Sequence, residues 1–231
     1  MTIIQRIRKC TLPMLAIGIV FPGNVVTAEE AAARPPAPSL SRPATKTQPV
    51  DARGFIRRWL VLEPIPTGGR LTESAVQDAL QAKPLPSLRD MPREGDVVDR
   101  SGPLKWHAVD TVRYNVNLYH FAWALSKPTS NVLFWAVTTV DSPTEMTGVR
   151  LAIGSNAASN WWLNGERVIA LYNDRQTVID DGVSKRLTLK KGRNVILAAI
   201  VNGGGATDFC ARLLDANDQP ITGLTVSLQS P

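Results

Sequence analysis

The sequence predicts an all-β, antiparallel sandwich with one short helix near its N-terminal end, on three observations. Beyond Phe55, short apolar runs alternate with polar residues at period two, the mark of strands with one wet face. Turn signals fall between the runs, at Asn164-Gly165, Asp181-Gly182, Lys191-Gly192 and Gly203-Gly204-Gly205. A single segment, residues 73–82, has helical spacing with prolines behind it. Many short strands at close spacing build an antiparallel sandwich.

Composition agrees. The chain has 231 residues, 44% of them hydrophobic and 20% charged, enough to build one good-sized core. This excludes wholesale disorder, and two cysteines exclude a disulfide-dense scaffold.

The elements follow in chain order. Residues 1–28 read as a signal peptide: Arg6, Arg8 and Lys9 form a positive start, Thr11 to Val20 an apolar run, and Val26-Thr27-Ala28 a small-residue cleavage site. The run falls short of the ~20 residues that span a bilayer, so no membrane span is expected after cleavage. The expected location is periplasmic or extracellular. Cleavage removes three bases from a chain of net charge +6, which leaves too little positive charge to suggest nucleic acid. It also removes Cys10, leaving Cys210 on a strand as a buried, inert thiol.

Residues 29–52 are rich in Ala, Pro, Ser and Thr and read as a disordered linker; residues 53–231 form the sandwich. Trp59 to Leu62 opens it as a short apolar strand. In the helix at 73–82, Ser74 and Gln77 have capping-box spacing, Val76, Ala79 and Leu80 share a face, and Pro84 and Pro86 end it. Val112, Tyr114, Val116 and Leu118 alternate with Arg113, Asn115 and Asn117 as a half-wet strand. Val132 to Val137 and Val195 to Val201 are apolar on both faces and read as central strands. Val149, Leu151 and Ile153 mark another strand, and Leu224, Val226 and Leu228 the last. Trp161 and Trp162, adjacent in a strand, must point to opposite faces.

Several segments carry a family likeness. Leu151 to Val168 (LAIGSNAASNWWLNGERV) resembles a G-S-turn-W-L-N-G hairpin, Val183 to Asn194 (VSKRLTLKKGRN) an L-x-x-G-x-N segment, and Phe209 to Leu224 (FCARLLDANDQPITGL) a closing strand and turn. Phe55 to Pro66 (FIRRWLVLEPIP) is similar to a W-x-x-x-G-P-F opening, with Glu63 in place of the glycine. Together these resemble the galactose-binding-like domains attached to secreted glycan-degrading enzymes, over nearly all of residues 55–228. The resemblance implies an antiparallel jelly-roll β-sandwich and a non-catalytic carbohydrate-binding role. Many relatives carry acidic residues in the turn where this chain has Ser155 to Ser159, so no ion or sugar contact is carried over to that turn.

For chemistry, no G-x-S-x-G elbow, H-E-x-x-H, C-x-x-C, Walker loop or G-x-G-x-x-G stands in a suitable context, and His107 and His120 lack a spaced partner. The expectation is no enzyme and no catalytic residue. Asp174, Asp180 and Asp181 are the candidates for a structural calcium loop; otherwise no cofactor is expected. Of six tryptophans, Trp59, Trp123 and Trp135 sit in apolar runs and read as core. Trp106, with His107 beside it, and Trp161 have polar neighbours and are the candidates for stacking on a sugar. The expected partner is a glycan, bound by a monomer. The alternative is an envelope or enzyme protein, docked through an exposed sheet face.

Overall fold

Two long strands organise the molecule. In this computed structural model, which describes residues 47–82, 91–99 and 102–228, β7 (Val132–Ser142) and β13 (Gly192–Asn202) pair antiparallel along their whole lengths. β13 is rich in Val, Ile and Ala, β7 in Val and other large apolar residues, and both are buried on both faces, as a central strand requires. Around them the large sheet runs β10 (Glu166–Leu171), β9 (Ala158–Leu163), β13, β7, β2 (Arg58–Leu62), β5 (Pro103–Asp110) and β4 (Val97–Asp99). β3 (Ile65–Pro66) and β15 (Thr225–Ser227) also pair with β7, and β1 (Thr47–Pro49) pairs with β15. The small sheet runs β11 (Gly182–Val183), β8 (Met146–Ser155), β14 (Asp208–Leu214) and β6 (Val116–Asn117), with β12 (Leu187–Leu189) also on β8. Every strand pairing between described residues is antiparallel, and the protein is an all-β sandwich.

The core between the sheets is set by strand alternation. Trp59, Phe134 and Trp161 enter it from the large sheet, and Leu151, Ile153 and Phe209 from the small one. Trp59, Trp161 and Phe209 meet edge to face, with centroids 5.0 to 6.1 Å apart. The two indole N–H groups donate to Ile56 O and Ser159 Oγ, both at 3.0 Å, so the aromatics bury no unpaired donor there.

A second apolar layer lies on the outer face of the large sheet. Leu60, Leu62, Trp106, Leu133, Trp135, Leu197 and Ala199 belong to it, together with Val76 of the helix α1 (Glu73–Ala82). This explains why β7 and β13 read as apolar on both faces.

Local chemistry places the hairpins as expected. Asn164 and Gly165 have φ of 51° and 87°, the pair of left-handed residues that a type I′ turn needs. The buried Asn194 amide accepts from Lys190 N and Asn164 Nδ2, both at 2.9 Å, and donates to Lys190 O and Gly192 O.

Four expectations are corrected. The signal peptide and residues 29–46 of the linker lie outside the described residues, but residues 47–52 belong to the sandwich. There β1 completes an edge beside β15, and Val50 is buried in the core. In α1, Ser74 lies inside the first turn, and Gln77 Nε2 donates to Tyr172 Oη at 2.8 Å rather than closing a capping box. Pro84 and Pro86 lie outside the described residues. The alternation at 112–118 is not one strand: only Val116 and Asn117 pair, and a second helix, α2 (Leu118–Ala124), follows. Asn117 is its N-cap, accepting from His120 N at 2.8 Å. Finally, α2 carries Trp123 to the surface, 52% exposed, because Leu118 and Ala122 take its buried face.

Candidate functional site

The loops at one end of the sandwich enclose a cleft of about 350 Å³, lined by Asn156, Asp174, Arg175, Gln176, Gly204, Gly205 and Ala206. Three connections build it: the β8–β9 turn, the segment after β10 and the β13–β14 loop. Strand pairing holds their stems, because β13 pairs with β9 and β14 with β8.

Each wall has its own support. Asn156 N donates to Asp208 O at 2.9 Å, which ties the β8–β9 turn to the start of β14. The next residue, Ala157, is buried at φ 106°, a strained conformation for a residue with a Cβ. Asp208 is a hub: its carboxylate accepts from Asn115 Nδ2 at 2.6 Å and from Thr177 Oγ1. Gly204 N donates to Asn202 Oδ1 at 3.1 Å, while the same amide gives its Nδ2–H to Thr129 O at 2.7 Å. Leu118 N and Tyr119 N both donate to Thr207 O, so the first turn of α2 abuts the residue that follows the glycine wall. On the far wall Arg175 is paired with Asp181. Asp174 and Gln176 are exposed, and no ion pair among the described residues engages Asp174. The cleft therefore presents two amides, a carboxylate, a guanidinium and a glycine backbone, a set that donates and accepts hydrogen bonds in several directions.

The candidates named from the sequence fall elsewhere. Trp106 is 2% exposed and lies in the outer layer of the large sheet; Trp161 is 0% exposed in the inter-sheet core. Neither ring has a face for a sugar, and this corrects the expected platform. Their polar neighbours misled because adjacent strand residues point to opposite faces. For the same reason Trp106 and His107 do not line one site. His107 lies on the other face of β5, where its Nε2 is 3.2 Å from Glu63 Oε1 and its ring meets Phe121 edge-on at 5.7 Å. Lys127 Nζ holds the other Glu63 oxygen at 2.9 Å. Burial pushes the Glu63 pKa up, but the bonds from Lys127 and His107, the Lys127 charge and a backbone bond at Lys105 outweigh it and leave the carboxyl below its ordinary value.

Asp174, Asp180 and Asp181 do not converge on a cation. Asp180 forms a two-pronged pair with Arg212, Asp181 pairs with Arg175, and Asp174 faces the cleft. Among the described residues no group of three His, Cys, Asp or Glu side chains is placed to hold a metal ion. No described helix is long and apolar enough to cross a membrane. Cys210 is buried, and burial pushes its thiol up to about 12, in keeping with an inert side chain.

Asn156, Arg175, Gln176 and the glycine run escaped the sequence reading as site residues. The one signal for them was the cluster of turn-forming residues at 154–159, 173–182 and 203–205, which marks loops but not which loops meet.

No protein-family model matches the chain, and no curated protein sequence matches it. Among solved structures it is similar to the PA14 domain of the MpAFP antifreeze protein. That match has 15% identity over 71% of this chain and 90% of that one, with a TM-score of 0.40. It is also similar to the β-glucosidase from Kluyveromyces marxianus in complex with glucose, at 20% identity and a TM-score of 0.36. That match covers 53% of this chain and 16% of the β-glucosidase, so the chain spans a small part of that enzyme's length.

Proposed function

We propose that the protein is an exported, non-catalytic carbohydrate-binding module of the galactose-binding-like kind, and that its glycan site is the loop-end cleft. The observation that carries this reading is the cleft's lining. Asn156, Asp174, Arg175 and Gln176 offer planar groups of both hydrogen-bonding senses, which suit the adjacent hydroxyls of a sugar ring. A non-catalytic role fits the same lining, which has one carboxylate, Asp174, where glycoside hydrolysis uses two. The signal-peptide pattern and the W-L-N-G and L-x-x-G-x-N resemblance support export and the family of the module.

The test is a titration of the chain with soluble plant and bacterial polysaccharides, followed by calorimetry. Asp174→Ala or Arg175→Ala should weaken binding roughly ten- to hundredfold, the loss of one charge-assisted hydrogen bond of about 1.5–3 kcal/mol. Heat signals absent across the whole panel from a folded protein would reject the reading.

A second reading has its own observation. Trp123 exposes half of its surface on α2, and a large apolar ring in water suits a protein-docking face. Under that reading Trp123→Ala abolishes co-purification with an envelope or enzyme partner and leaves polysaccharide titrations unchanged.

A further inference from the structure

Helix α2 turns an aromatic face to water. At about 3.6 residues per turn, Tyr119, His120 and Trp123 fall within ~100° of one another around its axis. Leu118 and Ala122, which are buried, and Phe121, which packs on the core, point the other way. Trp123 is 52% exposed, His120 is exposed and Tyr119 is half-buried, and the Tyr119 and His120 rings lie 6.0 Å apart. Turning the helix to bury Trp123 would expose Leu118 and Ala122, so packing fixes the indole at the surface.

This face is fastened to the glycine wall of the cleft. Leu118 N and Tyr119 N donate to Thr207 O at 2.9 and 3.1 Å, one residue beyond Ala206 of the cleft lining. Past the helix, Thr129 O accepts from Asn202 Nδ2 at 2.7 Å, and Asn202 Oδ1 accepts from Gly204 N at 3.1 Å. The loop 202–207 therefore holds both ends of the segment 118–129, and Trp123 stands midway between them. With a rise of ~1.5 Å per residue, it lies roughly 8 Å along the axis from the anchor at Leu118. The wall itself is open: a methyl at Gly204 or Gly205 would meet no atom within 4 Å.

We propose that this aromatic face is a second subsite of the cleft, and that the ligand is a chain of several sugar units rather than a single ring. The inference rests on the cleft being a glycan site. One sugar takes the hydrogen-bonding groups of the cleft. The chain then crosses the glycine wall, where no side chain obstructs it, and a later ring lays its C–H face on the Trp123 indole. The Tyr119 hydroxyl and the His120 imidazole answer hydroxyls at that ring's rim. The surroundings favour a sugar over a protein here. A docking face spreads apolar surface around its aromatic anchor, whereas Trp123 is the one large apolar side chain exposed between residues 118 and 131.

The experiment is calorimetry of the full chain with cello-, xylo-, manno-, malto- and chito-oligosaccharides, each as disaccharide and hexasaccharide. In at least one series the hexasaccharide should bind at least tenfold more tightly than the disaccharide. Trp123→Ala should remove that gain and leave the disaccharide unchanged, Trp123→Phe should keep most of it, and Arg175→Ala should weaken both lengths. The proposal is overturned if the two lengths bind alike, or if Trp123→Ala binds the hexasaccharide as the wild type does. With Arg175→Ala still impaired, either result leaves the cleft as the whole glycan site and Trp123 to a protein partner. If no hexasaccharide binds the folded chain the proposal also fails, and the glycan reading falls with it when the polysaccharides are silent too. Should Trp123→Ala not fold, the indole N–H signal of Trp123 in ¹⁵N-tryptophan-labelled protein, identified through Trp123→Phe, must shift with the hexasaccharide and not with the disaccharide. A Trp123 signal that a bound hexasaccharide leaves unmoved overturns the proposal.

Discussion

Glu63 shows how one side chain can tie distant segments together. It sits at the end of β2 and gathers His107 from β5 and Lys127 from beyond α2, so it pins the helix that carries Trp123. Its pKa is lowered on folding, so the stabilisation is present above the unfolded carboxyl value and is lost as pH falls through the folded one. Urea midpoints of wild type and Glu63→Gln should therefore differ at pH 7 and converge as the pH is taken below the ordinary value of 4.5. A gap that stays constant down to pH 3 would refute this. The tryptophans teach the complementary lesson. Polar neighbours make Trp106 and Trp161 candidates for stacking on a sugar and apolar ones make Trp123 a core residue, yet Trp106 and Trp161 are buried and Trp123 is exposed. A neighbour in a strand reports on the opposite face, and in a helix on a face about 100° away.

At the scale of elements, the hairpin β9–β10 was legible because its determinants are local. Asn164-Gly165 can adopt two left-handed conformations in succession at little cost, and few other pairs can. What joins this hairpin to the central strand is Asn194, whose amide bonds Lys190, Gly192 and Asn164 at once. Asn194→Ala leaves several of those groups bare and should destabilise the protein by about 1–3 kcal/mol, read as a lower urea midpoint with an unchanged slope. An unchanged midpoint would mean the loop satisfies itself with water. Helix α1 was legible from its spacing and its following prolines. Helix α2 was hidden because Val112, Tyr114, Val116 and Leu118 mimic a strand. The cue that outweighs them is Asn117 three residues ahead of His120, an N-cap that stops the alternation and starts the turn.

For the whole molecule, the two apolar layers share the large sheet as a common wall, so damage on either face reaches β7 and β13. Cys210 reports on this unity. It lies on β14, paired to β8, with its thiol pushed up to about 12 by burial. A thiol reagent at pH 8 should therefore label Cys210 of the native protein, followed by peptide mapping, only at the rate set by global unfolding, and the rate should fall in step with added stabiliser. Fast labelling of Cys210 in a folded chain would reveal local opening of the small sheet.

Strand periodicity, turn chemistry and the helix at 73–82 could be read from sequence because each depends on a few neighbouring residues whose backbone preferences act locally. The all-β sandwich and the buried Cys210 followed from the same signals. The cleft did not, since Asn156, Arg175 and Gly204 lie tens of residues apart and meet only through the pairing of β8 with β14 and of β9 with β13. Nor did the edge-to-face meeting of Trp59, Trp161 and Phe209, which needs the two sheets to face each other in one register. Registers and sheet neighbours are chosen by burial summed over the whole core, and no short window of residues contains that sum.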